Sequence, residues 1–126
     1  MSVMNGDIKE RVKNAKRIVV KVGTSTLTYA NGNLNLGLLN KLVWVLSDLR
    51  NQERDVVLVT SGAIGVGSKK LDFKTRPKET REKQAAAAVG QAELMHIYQN
   101  FFSEYSQKTA QILLRQIMDI NTFDKR

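Results

Sequence analysis

The apolar residues of this chain fall into two kinds of run. RIVVKV (Arg17 to Val22) and DVVLV (Asp55 to Val59) are short, β-branched and almost continuously apolar, the composition of strands buried in a parallel sheet. KTAQILL, from Lys108 to Leu114, predicts a third strand. Between the first two, Leu39, Leu42, Val43, Leu46 and Leu49 recur at three- and four-residue spacing, which predicts a helix with one core-facing stripe. Asn35 can cap it and it should run to about Asn51, with Trp44 nearly opposite the stripe. A second, longer helix is predicted over TREKQAAAAVGQAELMHIYQNFFSEY, capped by Thr80 and with Glu82 in its first turn near the positive end of the helix dipole. Its core face carries Ala87, Leu94, Tyr98, Phe101 and Tyr105. Gly90 near that face permits close packing, Gln91 reads as a satisfied core amide, and His96 falls on the opposite, solvent side.

Shorter signals complete the pattern. A polar helical lead is predicted from Asp7 to Ala15, and a short helix from about Ala63 to Leu71 despite Gly65 and Gly67. Asn31-Gly32 is a two-residue hairpin signal between Tyr29 and Leu34. Strand, helix, strand, helix, strand predicts an α/β fold with right-handed crossovers and a parallel sheet. In such sheets ligands bind at the carboxyl ends of the strands. Two glycine-containing corners, VGTST and TSGAIGVG, fall there.

Composition narrows the class. The chain has 126 residues, 42% of them hydrophobic and 25% charged, consistent with one soluble domain that is short for an enzyme binding two substrates. It contains no cysteine, so disulfides, thiol nucleophiles and thiolate metal sites are excluded. A cytoplasmic location is expected: MSVMNGDIKERVKNAKR has no apolar core of signal-peptide length, and no run approaches the ~20 apolar residues of a membrane span. The net charge is +8, and seven basic residues (Lys69, Lys70, Lys74, Arg76, Lys78, Arg81, Lys83) stand against three acids (Asp72, Glu79, Glu82) in one stretch. That stretch reads either as a solvated loop or as a source of attraction for an anionic ligand in a neighbouring cleft. Nucleic acid is not expected, because Phe73 is the only aromatic in the run and no zinc or helix-turn-helix signature accompanies it.

The glycine corners carry the candidate chemistry. Residues lacking a Cβ let an anion come close to backbone N–H groups, although glycines also simply turn corners. Neither corner has the Gly-Lys-Ser/Thr ending of a Walker loop or the GxGxxG dinucleotide spacing. Instead Lys21 lies inside the first apolar strand, where a lysine needs a partner anion or solvent. A strand-end lysine with two Thr/Ser/Gly corners suggests a phosphate site of non-Walker type.

KVGTSTLT (Lys21 to Thr28), VTSGAIGVG (Val59 to Gly67) and KQAAAAVGQAELM (Lys83 to Met95) together resemble the amino-terminal half of the kinase domain in the amino acid kinase family, in the branch that acts on glutamate. The resemblance implies a three-layer α/β sandwich with a mainly parallel sheet, here incomplete: a lead over 1–16 and the glutamate-side half of the domain over 17–126. It implies ATP-dependent phosphorylation of the γ-carboxylate of L-glutamate, the first step toward proline, with Mg2+ carried by the nucleotide and no metal ligand from this chain. By similarity, Lys21, Gly23 and Thr24 serve the ATP phosphates, Lys21 being catalytic, while Ser61, Gly62 and Ala63 bind glutamate.

The family continues into further glutamate-site residues, a catalytic aspartate and a nucleotide half that have no matching positions here. Isolated, the chain is therefore expected to be inactive and poorly stable as a monomer. No role carries over to Arg115, Asp119 or Asp124, since LLRQIMDINTFDKR departs from the family pattern. Family members assemble as oligomers, so Trp44 reads either as a lone exposed aromatic or as a subunit contact. The alternatives to the kinase are a glutamate- or phosphate-binding remnant without turnover and, on net charge alone, a basic nucleic-acid-binding module.

Overall fold

The computed structural model describes residues 2–113. In chain order these form helix α1 (Ser2–Asn14), strand β1 (Arg17–Val22), the single-turn helix α2 (Thr24–Leu27), helix α3 (Leu36–Asn51), strand β2 (Asp55–Thr60), helix α4 (Ala63–Lys70) and helix α5 (Thr80–Glu104). β1 and β2 pair in parallel, with Arg17 opposite Asp55 and Val22 opposite Thr60. α3 is the crossover between them.

Side chains alternate across the two strands, and the two faces differ. Ile18, Val20 and Val22 of β1, with Val56, Leu58 and Thr60 of β2, are buried or half-buried. On this side Val22, Leu27, Leu39, Val43, Leu94 and Tyr98 form one core cluster, which Val20 and Leu58 join, so α3 and α5 cover this face. Burying a leucine such as Leu39 or Leu94 completely contributes about 1.5–3 kcal/mol. Among the described residues no helix covers the other face. Val19, Val57 and Val59 are exposed there, and Lys21 projects among them.

Local chemistry sets the boundaries. Asn35 caps α3 as expected, its Oδ1 accepting from Leu38 N at 3.1 Å, a contact worth about 1 kcal/mol. The hairpin before it is closed by Thr28 bridging Leu34 and by Tyr29 N donating to Asn33 O at 2.8 Å. Its loop holds three residues instead of two: Gly32, with φ of 85°, takes the left-handed position of a bulged turn. Thr80 does not cap α5. Glu79 occupies the cap position without a side-chain bond, and Thr80 is the first helical residue. The buried stripe of α5 is Ala86, Gly90, Leu94 and Tyr98, so Ala86 rather than Ala87 is fully buried on this face.

The predicted third strand is not formed among the described residues. After α5, Gln107 donates its Nε2 to Asn51 Oδ1 at 2.8 Å, and residues 108–113 continue without strand structure. Ile112 is 82% exposed and Leu113 60%. β-branched and aliphatic composition gives strand propensity, but a strand exists only through the ladder it joins, and this segment makes none with β2. Leu114, the last residue of the predicted strand, lies outside the described residues, as does the tail over 115–126. Among the described residues no helix is long and apolar enough to cross a membrane.

α4 and α5 cross at backbone contact. A Cβ placed on Gly67 would overlap Ala86 O and lie 2.8 Å from Gly90 N, and one placed on Gly90 would overlap Ala63 O and lie 2.7 Å from Gly67 N. Ala63 and Gly67 on one helix, and Ala86 and Gly90 on the other, are each four residues apart and so lie one turn above the other on the facing sides. Gly90→Ala should accordingly lower stability by roughly 1–3 kcal/mol or more, since backbone rather than a movable side chain obstructs the new methyl. Urea denaturation of the purified protein measures this. A loss below about 0.5 kcal/mol, the size of an indifferent surface substitution, would contradict the contact.

Tyr98 gives this packing a pH signature. Its ring is buried and its hydroxyl lies 3.4 Å from Thr60 Oγ1. Burial pushes the phenol above its ordinary 10.0, against a smaller opposing effect of the Thr60 hydrogen bond. The neutral form is thus favoured by folding, so this contribution to stability is intact below pH 10 and lost as pH rises through the folded-state value. Tyr98→Phe should be slightly less stable at neutral pH, by about 0.5–1.5 kcal/mol for the lost hydrogen bond, and should lose less stability above pH 10 than the unsubstituted protein. Chemical denaturation at pH 7 and in alkaline buffer compares the two.

Candidate functional site

β1 and β2 end together because they are parallel and in register, so the residues that follow each strand share one end of the sheet. The second corner is tied to the first through Ser61. Its N–H donates to Val22 O at 3.2 Å and its Oγ approaches the same oxygen at 3.4 Å. Gly62 follows with φ of 100°, a conformation in which L side chains are strained. It also faces Thr24: a Cβ at position 62 would lie 3.1 Å from Thr24 Oγ1 and 3.2 Å from Thr24 Cγ2. Two independent reasons therefore require glycine here.

Ala63 opens α4, an eight-residue helix. The first N–H groups of a helix have no intrahelical acceptor, and the positive end of the dipole points outward with them. Thr24, Ser61, Gly62, Ala63, Ile64 and Gly65 form one wall of an open hollow of about 990 Å³. The hairpin tip, Ala30 to Gly32, bounds another side, and Lys69, Lys74 and Arg76 bring cations to it. Lys69 Nζ donates to Asn31 O at 3.5 Å, linking α4 to the hairpin tip.

Of the residues expected at the site, Thr24, Ser61, Gly62 and Ala63 are brought to this hollow. Lys21 and Gly23 are not among its walls. Lys21 is opposite Val59 in the ladder and projects from the open face of the sheet, and its ammonium has neither hydrogen bond nor ion pair among the described residues. Gly23 has an ordinary extended backbone (φ −84°, ψ 164°), and a Cβ there would enter open space. Gln91 is half-buried and borders a separate groove of about 680 Å³ between α3, β2, α5 and the segment over 107–113. His96 is exposed, with Nε2 3.2 Å from Asn100 Nδ2. Trp44 is 56% exposed. No group of three or more His, Cys, Asp or Glu residues is placed to hold a metal ion among the described residues.

The Amino acid kinase family profile matches residues 16–125, most of the chain. The chain belongs to the amino acid kinase family. Within the family it is similar to curated glutamate 5-kinases: 57% identical over 113 residues to that of Listeria innocua, with 89% of this chain and 41% of the relative aligned. The glutamate 5-kinase of Clostridium perfringens is 54% identical over 126 residues, covering 93% of this chain and 47% of the relative. That of Enterococcus faecalis is 56% identical over 107 residues, covering 85% and 40%. The chain thus spans less than half the length of these relatives. Family membership accords with the α/β architecture and the parallel β1–β2 pair.

The hairpin and the basic run were each legible as local signals in the sequence, but their meeting at the second corner was not. Nothing in sequence spacing brings Asn31 to Lys69. Within the site, the contact between Thr24 and Gly62 is the most demanding. Gly62→Ala should cost about 1–3 kcal/mol in backbone strain alone and displace Thr24, lowering both stability and ligand binding at the corner. Thermal unfolding and ligand titration together measure this, and a variant unchanged in both would contradict the geometry.

Proposed function

We propose that this chain supplies the acceptor-side half of an ATP-dependent kinase that phosphorylates the γ-carboxylate of L-glutamate, giving glutamyl 5-phosphate for proline biosynthesis in the cytoplasm. The observation carrying this reading is the joined pair of corners, Thr24 against Gly62 and Ser61 on Val22 O, in a chain 57% identical to a glutamate 5-kinase. The reading assigns residues 17–126 to the kinase domain and 1–16 to a lead.

In this reading Ser61, Gly62 and Ala63 hold the glutamate carboxylate with hydroxyl and N–H groups at the start of α4. Gly23 and Thr24 shape the phosphate side, where the open space beside Gly23 admits an oxygen of ATP. A γ-carboxylate oxygen attacks the γ-phosphorus, the new O–P bond forms, and the bond to the β-phosphate oxygen breaks with its electron pair leaving on ADP. Mg2+ bound to the nucleotide would offset phosphate charge, and no residue of this chain is assigned to hold it. Lys21, whose ammonium has no partner among the described residues, stabilises the negative charge on the transferring group. Catalysis of this kind is positioning plus electrostatics, so this half needs the nucleotide-holding residues of a complete family domain. The exposed Trp44 is assigned to a contact between copies of the chain.

In the full-length enzyme, Lys21→Ala should lower kcat by about 10²–10³ or more, the scale of a lost transition-state charge contact. Ser61→Ala should chiefly raise KM for glutamate, leaving KM for ATP little changed. Glutamate-dependent ADP formation with hydroxylamine trapping of the acyl phosphate reads both. Near-normal kinetics in both variants would overturn the assignment.

A further inference from the structure

The hairpin tip carries a chemistry that the kinase reading does not use. Asn31 is exposed and is followed by Gly32, whose missing side chain leaves its backbone nitrogen open to approach. A Cβ built on Gly32 would meet only Lys69 Cδ, at 3.9 Å. The turn also orders the asparagine amide. Asn31 Oδ1 accepts from Asn33 N at 3.0 Å, an Asx-type bond that keeps the side chain beside its own backbone and polarises Cγ. Against reaction stands one hydrogen bond, from Gly32 N to Tyr29 O at 3.0 Å. It lies at a loop tip, where such bonds open locally without unfolding the domain.

The other asparagines of this stretch differ. Asn33, Asn35 and Asn40 are followed by Leu34, Leu36 and Lys41, whose side chains crowd the nitrogen that would have to attack. Asn35 Oδ1 is also committed, accepting from Leu38 N at 3.1 Å and from Tyr29 Oη at 3.0 Å. The second Asn-Gly pair, Asn5-Gly6, lies within α1, where the helical ladder engages the backbone nitrogens.

We infer that Asn31 is a site of spontaneous covalent modification in the folded protein, converting to aspartate and isoaspartate through a cyclic imide. The Gly32 nitrogen gives its proton to hydroxide and attacks Asn31 Cγ. A C–N bond forms, and Nδ2 leaves as ammonia after taking a proton from water. Water then adds to either imide carbonyl: breaking the new Cγ–N bond gives aspartate, and breaking the original Asn31–Gly32 peptide bond gives isoaspartate. Either product adds a negative charge to the wall of the hollow, which Asn31 shares with Lys69. Isoaspartate also inserts one carbon into the backbone of a turn closed by Gly32 N on Tyr29 O and by Tyr29 N on Asn33 O at 2.8 Å. Both bonds depend on the length of the chain between them, so this product opens the hairpin.

The test is peptide mapping by mass spectrometry on full-length protein kept in native, mildly alkaline buffer and sampled over days. Trypsin cuts after Lys21 and Lys41, which places Asn31 in the peptide over 22–41. Digestion at mildly acidic pH prevents conversion after unfolding, and fragmentation assigns the amide-to-acid mass gain to one residue. The gain should appear at Asn31 and not at Asn33, Asn35 or Asn40, with isoaspartate accompanying aspartate and a rate that rises with pH. In the isoaspartate fraction the Tyr29 amide should exchange its hydrogen faster than in fresh protein, reporting the lost bond to Asn33 O. Asn31→Asp, which adds the charge without the extra carbon, should keep that amide protected. Conversion confined to protein incubated in urea, with none in native buffer, overturns the site. Aspartate without isoaspartate overturns the imide route, and an unchanged Tyr29 exchange rate in the isoaspartate fraction overturns the opening of the hairpin.

Discussion

The backbone contact between α4 and α5 is the constraint on which the site geometry depends. Gly67 meets Ala86 and Gly90 meets Ala63 so closely that neither glycine position has room for a methyl group. Ala63 is both a partner in this crossing and the first residue after the Ser61-Gly62 corner. The helix crossing and the corner are therefore one mechanical unit: whatever moves α5 relative to α4 moves the N–H groups at the head of α4. The rest of α5 is held by Leu94 and Tyr98 in the core cluster, with α3 beside it. The long helix transmits the position of the core to the corner.

Parallel pairing supplies the second half of the geometry. Because Val22 and Thr60 are partners, Ser61 reaches Val22 O, and Thr24, one residue past Gly23, fits against Gly62. Strand alternation then divides the chemistry. Val22 and Thr60 point to the covered face, while Lys21 and Val59 point to the open one. A lysine at the end of an apolar strand avoids an uncompensated buried charge by this alternation, since its ammonium reaches solvent on the uncovered side.

The apolar open face and the segment over 108–113 share one physical theme. Val19, Val57 and Val59 have strand composition suited to a sheet covered on both sides, yet the described helices cover one side. Ile112 and Leu113 have the composition of an interior strand, yet no ladder receives them. Local propensity is present in both places and the tertiary partner is not among the described residues. Residues 107–113 border a groove together with β2, α3 and α5 without pairing to the strand.

Period, caps and turn chemistry were written in the sequence, because they depend on neighbours within a few residues. The Leu39-Val43-Leu46 stripe, the Asn35 cap and the hairpin around Asn31-Gly32 follow from such short-range rules. The motifs at Lys21 and Ser61 were legible too, and with them the family. Tertiary structure decided what depends on distant residues. It placed Ala86 rather than Ala87 at the crossing, because the facing glycine of α4 selects the residue it touches. It left residues 108–113 outside the sheet, because a strand is defined by its partner. It brought Lys69, Lys74 and Arg76 to the hollow while Lys70 pairs with Glu93, because which side chains of a continuous run share a surface depends on how the chain around them packs.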